Sequence, residues 1–265
     1  MEISALQFKL IENLLPIQRG NVTLSNLEVL NAILYVAEHG CKWRGLPVKF
    51  GNWHSIYTRA NRWARNGVLD RVFLALQQNK LIQLEVDHMS LDSTIVKVHP
   101  DGTSAPKKNG VQAIGQSRGG WTTKIHLVAA DARTAVVFSL SPGQAGDAPE
   151  GRKLLKTLEN KGFSDTHVIM DKAYEGDETR QLVLDLGMIP VVPPKANRVS
   201  PWEYDVEMYK KRNEVERLFR RLKRFRRIFS RFDKLDSVFR FFIHFALIVD
   251  HLISVNRPWL FSPTL

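Results

Sequence analysis

Three acidic residues stand at positions where carboxylates could do chemistry together. Asp92 follows the apolar Leu91 in a stretch that reads as a strand, and Asp171 ends the apolar run VIM of a later strand. Glu216 lies inside the basic segment MYKKRNEVERLFRRLKRFRR, residues 208–227. Because open α/β sheets place their reactive groups at strand ends, these carboxylates are candidates for one site.

Helix geometry separates Glu216 from the neighbouring Glu214. At about 100° per residue, four side chains share one stripe of the helix within roughly 60°: Tyr209, Arg212, Glu216 and Lys223. Glu214 points away from this stripe, where we expect it only to lower repulsion among nearby basic side chains. The alternative is that Glu216 merely forms ion pairs with Arg212 and Arg220, each worth about 0.2–0.5 kcal/mol.

Carboxylates within a positive surface suit metal-dependent chemistry at a phosphodiester. Such chemistry must activate an oxygen nucleophile and stabilise a leaving oxygen, and two Mg²⁺ ions roughly 4 Å apart can do both. Mg²⁺ takes hard oxygen ligands and keeps several waters, so two or three carboxylates suffice to hold it. Asp147 is the first alternative third ligand, although its position ahead of Pro149 favours a helix N-cap.

The net charge indicates a polyanionic partner. The 265-residue chain has a formal net charge of +11 and a pI near 9.8. Residues 206–240 carry 13 Lys and Arg against 5 Asp and Glu, so this one stretch contributes +8. A local basic strip favours nucleic acid over charge spread for solubility alone.

Composition also limits the class of protein. Hydrophobic residues make up 44% of the chain, enough for one large domain or two smaller ones. No apolar run approaches the roughly 18–20 residues of a membrane span, and the N-terminus lacks the order of a signal peptide. A single cysteine, Cys41, excludes an intrachain disulfide. We therefore expect a cytoplasmic protein with no membrane partner, associated with the nucleoid when bound to DNA.

Residues 3–80 read as helices. The segment TLSNLEVLNAILYVAEHG has Thr23 or Ser25 as a candidate N-cap, helical periodicity and Gly40 as a stop. A later helix interleaves aromatic residues with arginines: Trp53, Tyr57 and Trp63 with Arg59, Arg62 and Arg65. The region is either a small helix-turn-helix reader of DNA or a helical domain whose tryptophans fill its own core, and the sequence alone favours neither.

From residue 86 the patterns alternate between strand and helix, which predicts an α/β sheet flanked by helices. Strands are expected in VDHMSLDSTIVKVH, TKIHLVAAD, TAVVFSLS, THVIMD and MIPVVPP, and helices in EGRKLLKTLEN, ETRQLVLDLG and the long basic segment. The polar segment PDGTSAPKKNGVQAIGQSRGG is expected to be a loop. Arg118 and Lys124 then either contact phosphate or are solvated loop charges.

Several segments resemble bacterial insertion-sequence transposases of the DDE class. The spacing of Tyr209, Arg212, Glu216 and Lys223 is similar to the Y-x2-R-x3-E-x6-K signature of these proteins. Four further segments resemble the same family: DSTIVKVH, GQSRGGWTTKIHLV, DKAYEGDETRQL and GCKWRGLPVKFGNWHSIYTRANRW. The resemblance covers nearly the whole chain. Trp121 departs from it where a smaller apolar residue is usual, and Ala173 where glycine is usual.

The resemblance implies a small all-α domain over residues 1–82, expected to bind DNA, and a ribonuclease-H-like catalytic domain over residues 83–260, with a mixed sheet flanked by helices. It implies Asp92, Asp171 and Glu216 as the triad that binds two Mg²⁺ ions, with Mn²⁺ able to substitute. The expected DNA contacts are Tyr209, Arg212, Arg220, Lys223, Arg118, Lys124, Arg59 and Arg62.

The activity implied is cleavage at the ends of the element and joining of the freed 3′-hydroxyl to target DNA. No covalent protein intermediate is required, so Tyr209 is not the nucleophile. The expected partners are the terminal repeats and the target DNA, and pairing of two ends suggests at least a dimer. Two alternatives remain: a non-catalytic DNA-binding repressor derived from a transposase, and a metal-dependent nuclease of the same fold.

Overall fold

The computed structural model of the chain describes residues 1–20, 22–78, 86–103, 105 and 109–255. The chain divides into two compact units. The first, called the helical unit, comprises Met1–Gln83, Leu222–Phe229 and Asp233–Leu265. The second, called the sheet unit, comprises Leu84–Arg221 and Ser230–Phe232. The chain passes from the helical unit to the sheet unit after Gln83, close to the domain boundary expected at residue 82. The C-terminal segment from Asp233, expected in the catalytic domain, belongs to the helical unit.

The helical unit contains α1 (Ala5–Lys9), α2 (Asn26–His39), α3 (Trp53–Arg65), α4 (Val68–Gln78), α9 (Arg226–Phe229) and α10 (Asp236–Val255). Helix α2 begins at a capping box, in which the Ser25 side chain accepts from the backbone N–H of Glu28 and the Glu28 side chain accepts from that of Ser25. It ends at Gly40, whose φ of 66° is the left-handed conformation that glycine adopts at low cost. Ser25, rather than Thr23, is the N-cap.

Helix α10 forms much of the core of the helical unit, packing against α3 and α4. Its phenylalanines Phe239, Phe241, Phe242 and Phe245 are buried, as is Trp63 of α3. Trp63 therefore fills the core of its own unit, while Arg62 and Arg65 on the same helix are exposed. The described helices include none with the length and apolar character that crossing a membrane requires.

The sheet unit is built on one mixed sheet of β1 (His88–Val98), β2 (Gly115–Ser117), β3 (Gly120–Ala129), β4 (Ala135–Pro142), β5 (His167–Met170), β6 (Ile189–Val191) and β7 (Ser230–Arg231). Strands β2 and β4 pair with one edge of β3, and β1 pairs antiparallel with the other. The opposite edge of β1 pairs in parallel with β5 and then β7, and β6 extends β5. The five strands predicted from the sequence are confirmed. Strand β2 lies inside the segment that was expected to be a loop, and β7 was not anticipated.

Two helices, α5 (Asp147–Lys156) and α6 (Asp177–Asp185), contribute to the apolar core of the sheet unit. Leu154 and Leu155 of α5 join Met89 and Leu91 of β1 in this core. Because alternate strand residues share a face, Leu91 points into the core while Asp92 points to the opposite face of the sheet. The packing of α5 thus determines which face carries the candidate site.

Gly151 permits the close packing of α5, and we predict that Gly151→Ala destabilises the protein. A Cβ at this position would lie 2.6 Å from Cε1 of Tyr174 and 3.1 Å from Cδ2 of Leu91. Helix propensity alone would favour alanine by about 1 kcal/mol, but overpacking should outweigh it and cost about 1–3 kcal/mol. The measurement is chemical denaturation, with Gly176→Ala as the control because no atom lies within 4 Å of that Cβ. A Gly151→Ala protein as stable as wild type would contradict the prediction.

Candidate active site

Asp92 on β1 and Asp171 at the end of β5 are brought together by the pairing of these two parallel strands. The pairing of β1 with β5 places Leu91 opposite Met170. Asp92 follows Leu91 within β1, and Asp171 directly follows the last residue of β5. The two carboxylates are close enough for the charge of Asp171 to raise the pKa of Asp92. The sheet register therefore brings together two of the three carboxylates chosen from the sequence.

Backbone N–H groups orient both aspartates. Asp92 Oδ1 accepts a hydrogen bond of 2.7 Å from the backbone N–H of Ser93. Asp171 caps the 3₁₀ turn Lys172–Tyr174, accepting a bond of 2.7 Å from the backbone N–H of Ala173. The contact uses the main chain of Ala173, so the alanine that replaces the usual glycine keeps it.

Glu216 is linked to Asp92 through Arg212. The long basic helix expected from the sequence is divided into α7 (Val206–Tyr209), a 3₁₀ turn over Lys210–Arg212, and α8 (Asn213–Lys223). Arg212 Nη2 donates to Glu216 Oε1 at 2.8 Å, and Arg212 Nη1 lies 3.7 Å from Asp92 Oδ2. The ion pair with Arg212 weighed as the alternative for Glu216 is present, and it holds Glu216 beside the aspartates.

Burial, helped by the neighbouring carboxylates, makes Asp92 a weaker acid than usual. Burial is the largest cause, and together with the negative charges of Asp171 and Glu216 it raises the pKa of Asp92 to about 6. The Ser93 N–H and the Arg212 guanidinium act in the opposite direction without offsetting it. A further positive charge near Asp92 would therefore stabilise its ionised form.

The donor set fits a divalent cation in its chemistry. Three carboxylates supply the hard oxygen ligands that Mg²⁺ and Mn²⁺ prefer. Among the described residues, however, no three His, Cys, Asp or Glu side chains form a ready metal-binding cluster. Arg212 instead provides the positive charge between Asp92 and Glu216.

Glu214 has a different role from the one expected. It accepts a hydrogen bond of 2.8 Å from Nε2 of His88, the first residue of β1. It is therefore not simply a charge that lowers repulsion among neighbouring basic side chains. His88 was not singled out from the sequence, although its spacing of four residues from Asp92 places both on one face of β1.

Asp147 and Lys124 form an ion pair with each other. Lys124 lies on β3, not in a loop, and its Nζ donates to Asp147 Oδ1 at 2.9 Å and to the Ala145 carbonyl at 2.7 Å. Asp147 is the first residue of α5, whose N-cap is Gly146, so the expected N-cap role is wrong. Although burial acts to raise it, the pKa of Asp147 is lowered by bonds from Lys124 and Ser93. Both partners are thus already engaged with each other.

The other residues expected to contact DNA differ in exposure. Arg118 lies in the two-residue turn between β2 and β3, and both it and Arg220 are exposed. Tyr209 is half-buried, with its ring 6.0 Å from Cζ of Arg212. Lys223 ends α8 within the helical unit, where burial lowers its pKa.

A cleft of about 330 Å³ in the helical unit is rich in arginine. Four line it: Arg19, Arg59, Arg62 and Arg71. Arg59 Nη1 donates to the Leu24 carbonyl at 2.9 Å, and burial followed by the charge of Arg62 lowers the pKa of Arg59. No Asp or Glu occurs among the described residues that line the cleft. The cleft therefore suits an anion.

Two family models match the chain. The model described as transposase DDE domain matches residues 86–249, and the model described as putative transposase of IS4/5 family matches residues 3–73. A Brucella ovis protein named putative transposase for insertion sequence element IS6501 is 34% identical over 126 residues, covering 47% of this chain and 94% of that protein. An uncharacterized protein of Sinorhizobium fredii is 32% identical over 93 residues, covering 35% of this chain and 70% of that protein.

The fold is shared with a solved transposase structure. The piggyBac transposase, determined as a synaptic complex with hairpin DNA, aligns with a TM-score of 0.50 and 11% identity, covering 97% of this chain and 73% of that one. At this identity the likeness concerns the fold alone. It agrees with the mixed sheet described above, and the expected ribonuclease-H-like fold class is confirmed.

We predict that Asp92→Asn stabilises the metal-free protein at neutral pH. The unfolded pKa of aspartate is about 3.9, and the folded value is about 6. The folded state therefore holds the proton more tightly, and this contribution to stability is lost as pH rises from about 4 to about 6. Because the side chain is partly exposed, we expect the Asp92→Asn variant to gain about 1–2 kcal/mol at pH 8.

The measurement is urea denaturation in a chelating buffer at pH 4 and pH 8. The gain should vanish at the lower pH, where Asp92 is protonated in wild type. The control is Asp185→Asn, an exposed aspartate that accepts only a side-chain bond from Gln181 among the described contacts. An Asp92→Asn variant less stable than wild type at pH 8 would show that the carboxylate is not under electrostatic strain.

Proposed function

The chain belongs to the DDE transposase family, and from that premise we propose that it cleaves DNA at the ends of its element and joins the freed 3′-hydroxyl to target DNA. Asp92, Asp171 and Glu216 would hold the two divalent ions that this reaction needs. The observation that carries the proposal is the register of β1 and β5, which sets two aspartates side by side with Glu216 close enough to raise the pKa of Asp92.

The carboxylates and the arginine beside them have distinct tasks in this proposal. Bound Mg²⁺ or Mn²⁺ supplies Lewis acidity, lowering the pKa of the attacking oxygen and neutralising the leaving oxygen. Asp92 and Asp171 are oriented for ligation by backbone N–H groups. Arg212 neutralises Asp92 and Glu216 in the metal-free protein, and its planar guanidinium suits a DNA phosphate equally well. Tyr209 is not required as a nucleophile.

The charge distribution supports DNA as the partner. The chain carries a net charge of +11, and exposed Arg118 and Arg220 join Tyr209, Arg212 and Lys223 as proposed contacts to the DNA strand. Lys124 would support α5 through Asp147 and not touch DNA. The piggyBac structure is a synaptic complex with DNA, and pairing of two ends by this chain would require at least a dimer.

The arginine cleft of the helical unit is a second proposed contact to DNA. Its guanidinium groups have the bidentate geometry that matches phosphate oxygens. Arg59 is partly committed to the Leu24 carbonyl, so Arg62, which is exposed, is the better candidate for a phosphate contact.

We predict that Asp92→Ala, Asp171→Ala and Glu216→Gln each abolish strand joining while DNA binding survives, because a missing ligand carboxylate leaves the basic surface intact. The assay combines a pre-cleaved element end, Mg²⁺ and a plasmid target, and measures joined product per folded protein. Asp185→Ala, which removes an exposed carboxylate, should retain activity.

The same assay separates the two alternatives. A repressor would bind the end without cutting it, and a nuclease would cut the plasmid without joined product. Normal joining by any triad variant would refute the assignment of that residue.

We predict that Arg62→Ala weakens DNA binding and reduces its dependence on salt. Loss of one phosphate contact should lower the slope of log K against log salt concentration by about 1. The measurement is fluorescence anisotropy with duplex DNA between roughly 50 and 200 mM salt. Lys9→Ala removes one exposed positive charge from the same unit and should leave the slope unchanged. Equal slopes for Arg62→Ala and wild type would exclude the cleft as a phosphate site.

A further inference from the structure

Glu214 and Glu216 lie two residues apart on α8, and each is tied to β1 by a different route. Glu214 bonds His88 directly, and Glu216 reaches Asp92 through Arg212. We propose that the Glu214–His88 hydrogen bond positions α8 on the sheet, so that the Glu216 carboxylate lies beside Asp92. Glu214 is then a positioning residue for the metal site. The positioning of α8 does not depend on the proposed function. Only the expected effect on metal binding rests on it.

The bond has the geometry and surroundings of a specific contact. The distance from His88 Nε2 to Glu214 Oε2 is 2.8 Å, and the two side chains are 14% and 25% exposed. Because a carboxylate only accepts, Nε2 must carry the proton, which either the neutral or the charged ring can supply. The partners are 126 residues apart in sequence. A contact of this kind fixes one element against another, unlike a bond between neighbours on one helix.

The location of His88 connects the bond to the site. His88 and Asp92 lie on the same face of β1, because strand residues separated by an even number share a face. At about 3.3 Å per residue they are roughly 13 Å apart along the strand. The two routes therefore hold α8 at two points on one strand, one at its start and one at the catalytic position.

The N-terminal end of α8 is where a contact with the sheet would do most to fix the orientation of the helix. Regular α-helix begins only at Asn213, because the preceding residues Lys210–Arg212 form a tighter 3₁₀ turn. Because α7 and α8 are not one continuous α-helix, the orientation of α7 does not fix that of the first turn of α8. Within that turn, the fully buried Val215 lies between Glu214 and Glu216. Burial of Val215 stabilises the packing of α8, but a hydrophobic contact has no preferred direction. The hydrogen bond of Glu214 has one, so it restricts the rotation of the helix about its axis more strongly.

A purely electrostatic role for Glu214 makes a different prediction. If only its negative charge mattered, Glu214→Gln and Glu214→Ala would behave alike. If the hydrogen bond matters, Glu214→Gln should behave as wild type, because its amide oxygen still accepts from Nε2 of His88. The matched control is Glu207→Ala on α7, which removes an exposed carboxylate paired with Lys210.

The first measurement needs no metal. Spin labels are placed at Arg217 on α8 and Lys156 on α5, both exposed, in full-length protein with Cys41→Ser, and the distribution of distances between them is recorded. Glu214→Ala and His88→Ala should each broaden it, and the double variant should broaden it no further. Glu214→Gln and Glu207→Ala should leave it narrow. His88→Ala provides an independent route to the same bond if Glu214→Ala does not fold.

The second measurement is Mn²⁺ binding by calorimetry in the absence of DNA. We expect Glu214→Ala to raise the Kd by about 10–100-fold, the usual effect of losing a group that orients a ligand. A narrow distance distribution in folded Glu214→Ala and His88→Ala would overturn the inference. If wild type binds no Mn²⁺ while the distribution broadens as expected, the positioning of α8 stands and the metal site of the proposed function fails. An unchanged Kd with a broadened distribution would overturn the link to the metal site.

Discussion

The register between β1 and β5 is the constraint on which the site depends. Backbone hydrogen bonds set Leu91 opposite Met170, and the residue that follows each of them is an aspartate. Two carboxylates at strand spacing repel, and burial of Asp92 strengthens that repulsion because water screens it less. The fold does not relieve the conflict by moving the strands apart, since the sheet would then lose its pairing. It places an N–H group and a guanidinium nearby, and the remaining imbalance is what a divalent cation would satisfy.

Several charged side chains of the basic segment form specific ion pairs or hydrogen bonds, so the segment is not a uniform strip of exposed positive charge. Arg212 is shared between Asp92 and Glu216, Lys210 pairs with Glu207, and Glu214 bonds His88. Only part of the positive charge that composition reveals is therefore available to a DNA strand. Lys124, which is largely buried against Asp147, illustrates the same point on β3.

The sequence predicted those features that depend on local patterns. Apolar runs bounded by turn residues identified β1, β3 and β4. Asp92 was chosen because it follows the apolar Leu91 in a strand, and Asp171 because it ends one. The strands β2 and β7 are three and two residues long, too short to show a period. The bond between Glu214 and His88 joins residues with no local relation, so helix geometry alone assigned Glu214 to an unimportant face. The sequence placed residues 83–260 in one catalytic domain, whereas α10 packs against the N-terminal helices α3 and α4. Apolar periodicity identifies a buried helix face but not its partner.

Strand β1 pairs with strands that come from distant parts of the chain. The separation of these strands in sequence affects the order in which we expect the sheet to form. Its pairing with β3 is comparatively local, whereas its pairing with β5 joins residues 79 positions apart and that with β7 joins residues 133 positions apart. Contacts between distant residues close larger loops and form late. The antiparallel part of the sheet can therefore assemble while Asp92 has no charged neighbour from β5 or α8. We therefore expect the repulsion among the carboxylates to arise when β5 and α8 dock against β1, so that it raises the energy of the finished structure more than that of a partly formed sheet.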